Sequence, residues 1–156
     1  LLLRRALDSQ VKVIVCHCAT SGTSQDLDDP NLQEVENFSL FMRMFDDPDY
    51  EGLLFADISG MTLVNQVGNS LKGILARRDL HSRLLYGSDY PLPAVDILNQ
   101  NYALSLLGYL DEEIIEALDE LQSVNPLLYS FVLMRSVKHP ESGAQFSEDL
   151  FRNKLP

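Results

Sequence analysis

With 156 residues, the chain is long enough for one domain with a buried core, and its 46% hydrophobic and 22% charged residues exclude a chain that is disordered throughout. A formal net charge of −11, with no lysine- and arginine-rich stripe, excludes nucleic acid as a partner. No apolar run approaches the roughly 20 residues that span a bilayer, so we expect no membrane association and a cytoplasmic protein.

The first part of the chain alternates helical and extended patterns. Residues 1–9 are typical of the end of a helix, and the β-branched run Val11–Cys16 predicts a buried strand that ends at His17. Polar and turn-forming residues over 19–32 predict a long loop. Apolar residues at three- and four-residue spacing then predict an amphipathic helix over Gln33–Phe45.

The rest of the chain adds two strands and several helices. Strands are predicted at Leu53–Ile58 and Leu84–Tyr86, with a helix between them that ends at about Asp79. A tail over 139–156 has no clear period and is predicted to be irregular and to cover the surface. Three further helices are predicted from the apolar stripe Val95, Leu98 and Tyr102, from the stripe Ile114, Ile115, Leu118 and Leu121, and from Pro126 as a first helical residue.

This alternation predicts an α/β fold with βαβ crossovers and a parallel sheet. Three strands are too few, because a parallel sheet is covered on both faces and its open edges need partners. A closed (β/α)8 barrel needs eight strands and about 250 residues. The sequence over 1–156 is therefore interpreted as a single domain that belongs to something larger.

Reactive groups in parallel α/β folds gather at the carboxyl ends of strands, which here are His17, the pair Asp57 and Ser59, and Asp89. A neutral imidazole at His17 can bind a divalent metal or move a proton, or it can be a hydrogen-bonded structural histidine. The carboxylate of Asp89 can complete a metal site or act as a general base. For Asp57 we favour a structural role at the strand end.

Strand alternation predicts that Val13, Val15 and His17 share one face, and that Cys16 and Cys18 pack on the other as small hydrophobes. His81 precedes its strand and His139 lies in a polar loop, so neither is predicted to be a ligand. The chain contains no Gly-rich phosphate loop and no G-x-S-x-G elbow, which weakens nucleotide-binding and serine-hydrolase interpretations.

Four segments resemble the amidohydrolase-2 group of metal-dependent TIM-barrel hydrolases and decarboxylases. They are Val13–Cys18, Leu54–Ser59, Asn125–Leu128 and, most specifically, Arg83–Pro91 with its Gly-Ser-Asp-Tyr-Pro element. The resemblance spans about 11–135 and implies the C-terminal three βα units of the TIM (β/α)8 barrel plus closing helices.

The resemblance implies roles for two residues. Asp89 corresponds to the acid on the eighth strand, which binds the metal and handles the proton of the attacking water. His17 corresponds to the histidine that ends the sixth strand, a metal ligand in some members and a substrate-polarising or proton-transfer residue in others. The implied cofactor is a divalent metal, zinc above all. The family's His-x-His pair is absent, so the site is incomplete in this chain and we expect no catalysis from it alone.

The first hypothesis is therefore a metal-dependent hydrolase that cleaves C–N, C–O or ester bonds of a small-molecule substrate, with a related decarboxylase as the alternative. It requires a missing N-terminal barrel half or a homo-oligomer partner. A second hypothesis is a non-catalytic remnant that serves as an assembly module through its open strand edges. A third is a small flavodoxin-like binding domain.

Overall fold

The computed structural model describes residues 2–63, 66–95 and 100–152, which form a mixed α/β fold. The strands are β1 (Val13–Val15), β2 (Thr23–Gln25), β3 (Glu34–Glu36), β4 (Leu54–Asp57) and β5 (Leu84–Leu85). The α-helices are α1 (Leu2–Asp8), α2 (Asn37–Phe45), α3 (Asn69–Ala76), α4 (Asn101–Leu106), α5 (Ile115–Val124) and α6 (Pro126–Ser136).

The main sheet has three parallel strands in the order β1-β4-β5. Val15 lies opposite Ala56 on one side of β4, and Ala56 lies opposite Leu84 on the other. Helix α2 lies between β1 and β4 in the chain and α3 between β4 and β5, so the predicted βαβ order and the parallel sheet are confirmed. Within the described residues the sheet does not close into a barrel.

One face of this sheet carries the core. In the central strand Leu54 and Ala56 are fully buried, and Val13 and Val15 lie beside them in register and pack against the same core. Ile14, on the opposite face, is 43% exposed. The helices bury their apolar stripes on the first face, through Phe41 and Phe45 of α2 and through Leu71, Ile74 and Leu75 of α3.

Two boundaries differ from the sequence prediction. The predicted loop contains β2, which pairs with β3 in an antiparallel hairpin, and α2 begins at Asn37 instead of Gln33. In Glu34–Glu36 the two glutamates are exposed and the valine between them is half-buried, a period of two that is typical of a strand. The helical period was therefore extended one turn too far.

The apolar stripe predicted from Val95, Leu98 and Tyr102 is wrong at the two residues that the structure describes. Val95 is 38% exposed and Tyr102 is 62% exposed, while Leu98 lies outside the described residues. Helix α4 instead buries Asn101 and Leu104. The amide of Asn101 donates to Asp119 over 2.7 Å and accepts from Tyr129 over 2.8 Å, so a polar network fills the place that the stripe assigned to apolar side chains.

The tail after α6 is mostly irregular, as predicted, but it does not only cover the surface. Phe146 is 7% exposed and Leu150 is 3% exposed, and both belong to the core. Residues 153–156 lie outside the described part. In the part of the chain that the structure covers, no helix combines the length and the apolar character needed to cross a membrane.

His81 ties this tail to α3 and gives a first testable prediction. Its Nε2 donates to the Ile74 carbonyl over 3.0 Å, and its Nδ1 accepts from the Ser147 amide over 3.1 Å, so the neutral ring satisfies both partners. Burial lowers the pKa of His81 below its ordinary value of about 6.5. As pH falls below that value the unfolded chain takes up the proton first, so the free energy of unfolding decreases until the lowered pKa is passed.

We expect the replacement His81→Gln to remove this part of the acid sensitivity, because glutamine can hydrogen-bond but does not titrate. Urea unfolding at pH 7.5 and at pH 5 measures the change in unfolding free energy between the two pH values. The carboxylates contribute equally to this change in both proteins, so the difference between the proteins reports His81. An equal loss of stability between the two pH values in both proteins would show that another group is responsible.

Candidate functional site

A left-handed turn ends β1 and carries His17. The backbone φ angles of His17, Cys18 and Ala19 are 55°, 48° and 54°, in the region that side-chain-bearing residues rarely adopt. Strand alternation therefore stops at Val15, and the prediction that His17 continues the face of Val13 and Val15 is wrong. The His17 amide instead donates to Asp57 Oδ1 over 3.1 Å, which ties the turn to the end of β4.

The carboxyl ends of β1, β4 and β5 and the turns that follow them form a rim that carries His17, Asp57, Ser59 and Asp89. Asp57 lies at the end of β4, the central strand. Its Oδ1 accepts three hydrogen bonds, from the His17 amide, from the Ser59 amide over 3.0 Å and from the Ser59 hydroxyl. The side chain of Asp57 is 18% exposed. These contacts agree with the structural role that we favoured for Asp57 from the sequence. One of its carboxylate oxygens connects the turn after β1 to the end of β4.

The ring of His17 lies against Ser59. Its Nδ1 is 2.8 Å from the Ser59 carbonyl oxygen and 2.9 Å from the Ser59 hydroxyl oxygen. A carbonyl oxygen can only accept, so Nδ1 carries a proton and donates it. In a neutral ring the lone pair is therefore on Nε2, for which no hydrogen-bond partner is found among the described residues.

Asp89 follows β5, the last strand of the main sheet, and its carboxylate faces His17. Its Oδ2 lies 4.0 Å from His17 Nδ1, and its side chain is 25% exposed. Asp89 has a φ of 55°, and the Leu92 amide donates to its carbonyl over 3.0 Å, so a tight turn directs the carboxylate. The two residues singled out from the sequence thus lie together at the carboxyl ends of β1 and β5.

Gly60, which sequence reasoning missed, makes this approach possible. A Cβ atom at position 60 would lie 3.0 Å from Asp89 Oδ2 and 3.2 Å from His17 Nδ1, inside ordinary contact distance for both. Its φ of 67° also favours glycine. The sequence signal for this position is the Ser59-Gly60 dipeptide, which directly follows a buried strand.

Neither Ser59 nor the two cysteines are arranged as nucleophiles. The Ser59 hydroxyl donates to Asp57, and His17 Nδ1 already holds a proton, so this nitrogen cannot accept the proton of Ser59. Cys18 is fully buried, as predicted, and donates to the Asp57 carbonyl, while Cys16 is exposed, which contradicts its predicted packing. Desolvation raises the pKa of both thiols, and the charge of Asp57 adds to it, so the thiolate forms are disfavoured.

The donors at this rim fit a divalent metal in kind but not in number. An imidazole nitrogen and a carboxylate are ordinary zinc ligands, and zinc sites use three or four protein ligands. Within residues 2–63, 66–95 and 100–152, no three histidine, cysteine, aspartate or glutamate side chains are grouped so as to hold an ion. The described residues therefore do not form a complete metal site by themselves.

The other two histidines lie outside this rim, as predicted. His81 is 2% exposed and holds Ser147 as described above. His139 Nδ1 accepts from the amides of Glu141 and Ser142, each over 3.2 Å, and so closes a local turn.

A cavity of about 430 Å³ lies apart from the rim, between α1, α2 and the β2–β3 hairpin. Two ion pairs line it: Arg4 donates to Asp28 over 2.7 Å, and Arg43 lies 2.8 Å from Asp26. The pKa of Asp26 is lowered, first by a hydrogen bond from the Asp28 amide and then by one from Arg43. The pKa of Asp28 is lowered by a hydrogen bond from Arg4. His17, Asp57 and Asp89 do not line this cavity.

Comparison with known proteins finds no family model, no curated protein and no solved structure that matches the chain. What the rim does must therefore be argued from its own geometry.

Proposed function

We propose that this chain supplies the imidazole and the catalytic carboxylate of a metal-dependent hydrolase of the amidohydrolase type, as the C-terminal three βα units of a TIM barrel. The single observation that carries the proposal is that His17 and Asp89 meet beyond the carboxyl ends of β1 and β5, with 4.0 Å between His17 Nδ1 and Asp89 Oδ2, although the nitrogen proposed to act is Nε2 of the same ring. Residues 72 positions apart share one rim because the three strands are parallel. The amidohydrolase resemblance of Arg83–Pro91 favours hydrolysis over other uses of such a pair.

Each residue has a role that its own contacts support. His17 presents Nε2 as an acceptor without a hydrogen-bond partner among the described residues, and the Nδ1 bond to Ser59 holds the ring in place. Asp89, a quarter exposed, is open enough to take a proton from water beside it. A divalent ion held by His17 and Asp89 would activate a water molecule for attack. The proposal requires further ligands, which strands paired with the open edges of β1 and β5 would supply.

Manganese mapping tests the metal part of the proposal. Mn²⁺ broadens NMR signals near its site even when binding is weak, as two ligands imply. We expect broadening at His17, Gly60 and Asp89, and its loss in Asp89→Asn. Asp111→Asn is the matched control, because Asp111 is an aspartate that bonds to Lys138 and lies outside the rim residues. Broadening concentrated in the acidic runs at 26–29 and 46–49, unchanged in Asp89→Asn, would overturn the proposal.

The hydrolytic part is tested in the native assembly that contains the chain. With activated esters and amides as substrates, Asp89→Asn is expected to lower kcat by a factor of about 10²–10⁴, the usual contribution of a positioned general base. The Asp111→Asn control is expected to retain the rate. Equal rates in all three proteins would remove Asp89 from the reaction.

A further inference from the structure

We infer that Asp57 and Ser59 are positioning residues that hold His17 in the tautomer with its proton on Nδ1. The inference rests on the proposed function for its catalytic meaning, but its geometry stands independently. It also narrows what His17 can do, because a neutral ring in this tautomer offers an electron pair at Nε2 and no proton.

The hydrogen-bond directions fix the tautomer step by step. The Ser59 hydroxyl gives its proton to Asp57, which makes the hydroxyl oxygen an acceptor toward His17. The Ser59 carbonyl is an acceptor in any state. Both oxygens nearest to Nδ1 therefore require a donor there, and the nearer Asp57 oxygen, 3.8 Å away, adds favourable negative charge.

Asp57 places this acceptor pair. By accepting from the Ser59 amide and hydroxyl it fixes the orientation of Ser59, and by accepting from the His17 amide it fixes the left-handed turn that carries the ring. Ring position and acceptor position thus depend on one carboxylate oxygen. Partners of this kind on the far nitrogen of a metal-binding histidine orient the ring and raise its basicity.

The other two histidines provide an internal contrast. His81 donates from Nε2 to a carbonyl, and His139 accepts two amides at Nδ1, so both neutral rings carry their proton on Nε2. Among the chain's three histidines, only His17 is held in the Nδ1–H form. For the proposed hydrolase this means that His17 serves as a metal ligand or a proton acceptor, and not as a hydrogen-bond donor to a substrate carbonyl.

The test is a long-range ¹H–¹⁵N NMR correlation on the full 156-residue chain, with chelator present so that no ion competes for the rings. The pH is held well above the ordinary histidine pKa of about 6.5. Loss of cross-peaks in His17→Gln assigns its ring. We expect the protonated, pyrrole-type nitrogen at Nδ1 in His17 and at Nε2 in the other two rings. A pyrrole-type Nε2 in His17 overturns the inference.

Three variants test the positioning role. Asp57→Ala is expected to shift the pyridine-type signal of His17 from Nε2 toward Nδ1. Asp57→Asn is expected to shift it less because its amide oxygen still accepts, and Ser59→Ala less because its carbonyl remains. Ser70→Ala is the matched control, because Ser70 is 8% exposed and Ser59 is 5% exposed. Among the described residues, the Ser70 hydroxyl bonds only to the Gln66 carbonyl. An Nδ1–H tautomer that is unchanged in folded Asp57→Ala and Ser59→Ala overturns the role.

The two proposals fail separately. A native tautomer without localised Mn²⁺ broadening removes the metal-dependent function and leaves the positioning intact. Localised broadening with the proton on Nε2 removes the positioning inference alone.

Discussion

Replacing Gly60 with alanine is expected to displace His17 or Asp89 by a few tenths of an ångström and to weaken Mn²⁺ broadening at the rim. The added methyl group meets Asp89 Oδ2 at 3.0 Å and His17 Nδ1 at 3.2 Å, so one of the two side chains must move. The left-handed φ of 67° adds about 1–2 kcal/mol of backbone strain. Mn²⁺ mapping and urea unfolding of the same sample measure both effects.

Gly52→Ala is the matched control for this prediction. Gly52 has a φ of 81°, so alanine there carries comparable backbone strain, but no atom lies within 4 Å of the new methyl group. We expect a similar loss of unfolding free energy with the rim broadening intact. Retention of the broadening in Gly60→Ala as well would show that the approach of His17 and Asp89 does not depend on this glycine.

Replacing Phe45 with alanine is expected to lower the free energy of unfolding by about 3–5 kcal/mol, the usual cost of removing a buried aromatic ring. Phe45 is fully buried and stacks on Phe41 with ring centroids 4.8 Å apart. The guanidinium of Arg83 lies 4.0 Å above its ring and bonds to its carbonyl. Loss of the ring therefore leaves a cavity beside the half-buried guanidinium of Arg83. Burial already disfavours its charge, as the lowered pKa of Arg83 shows, and the variant removes the ring that faces this charge.

Phe38→Ala is the control on the same helix. Phe38 is only half-buried and packs at the edge of the core, so we expect a clearly smaller loss of stability. Chemical denaturation of both variants measures the difference. Equal losses would mean that the core does not concentrate around Phe45.

The parallel sheet could be predicted because its strands are short and mostly apolar, with β-branched residues throughout β1, and because helical spacing separates them. In β4, Leu54 and Ala56 are fully buried and Phe55 between them is half-buried, which produces the continuous apolar run that the sequence shows. In the β2–β3 hairpin, β2 was missed because it is polar and exposed throughout, and β3 because three residues are too few to separate a period of two from the helical spacing that follows. Asn101 was missed because a buried amide network has no periodic pattern.

The candidate site was predictable in location but not in detail. The rule that strand ends share a rim selects His17 and Asp89 without coordinates. The face of His17 was wrong because alternation assumes an extended backbone, and three left-handed residues interrupt it. The function of Asp57 as a shared acceptor depends on the direction of its hydrogen bonds, which residue types alone do not encode.

The left-handed turn over 17–19 also limits which substitutions this segment can tolerate. Side chains branched at Cβ are the least compatible with positive φ, whereas asparagine, aspartate and glycine adopt it most readily. At half-exposed Ala19, valine and threonine are therefore disfavoured by backbone shape. Tolerance to substitution at this position is thus expected to follow the propensity of a residue for positive φ and not its hydrophobicity.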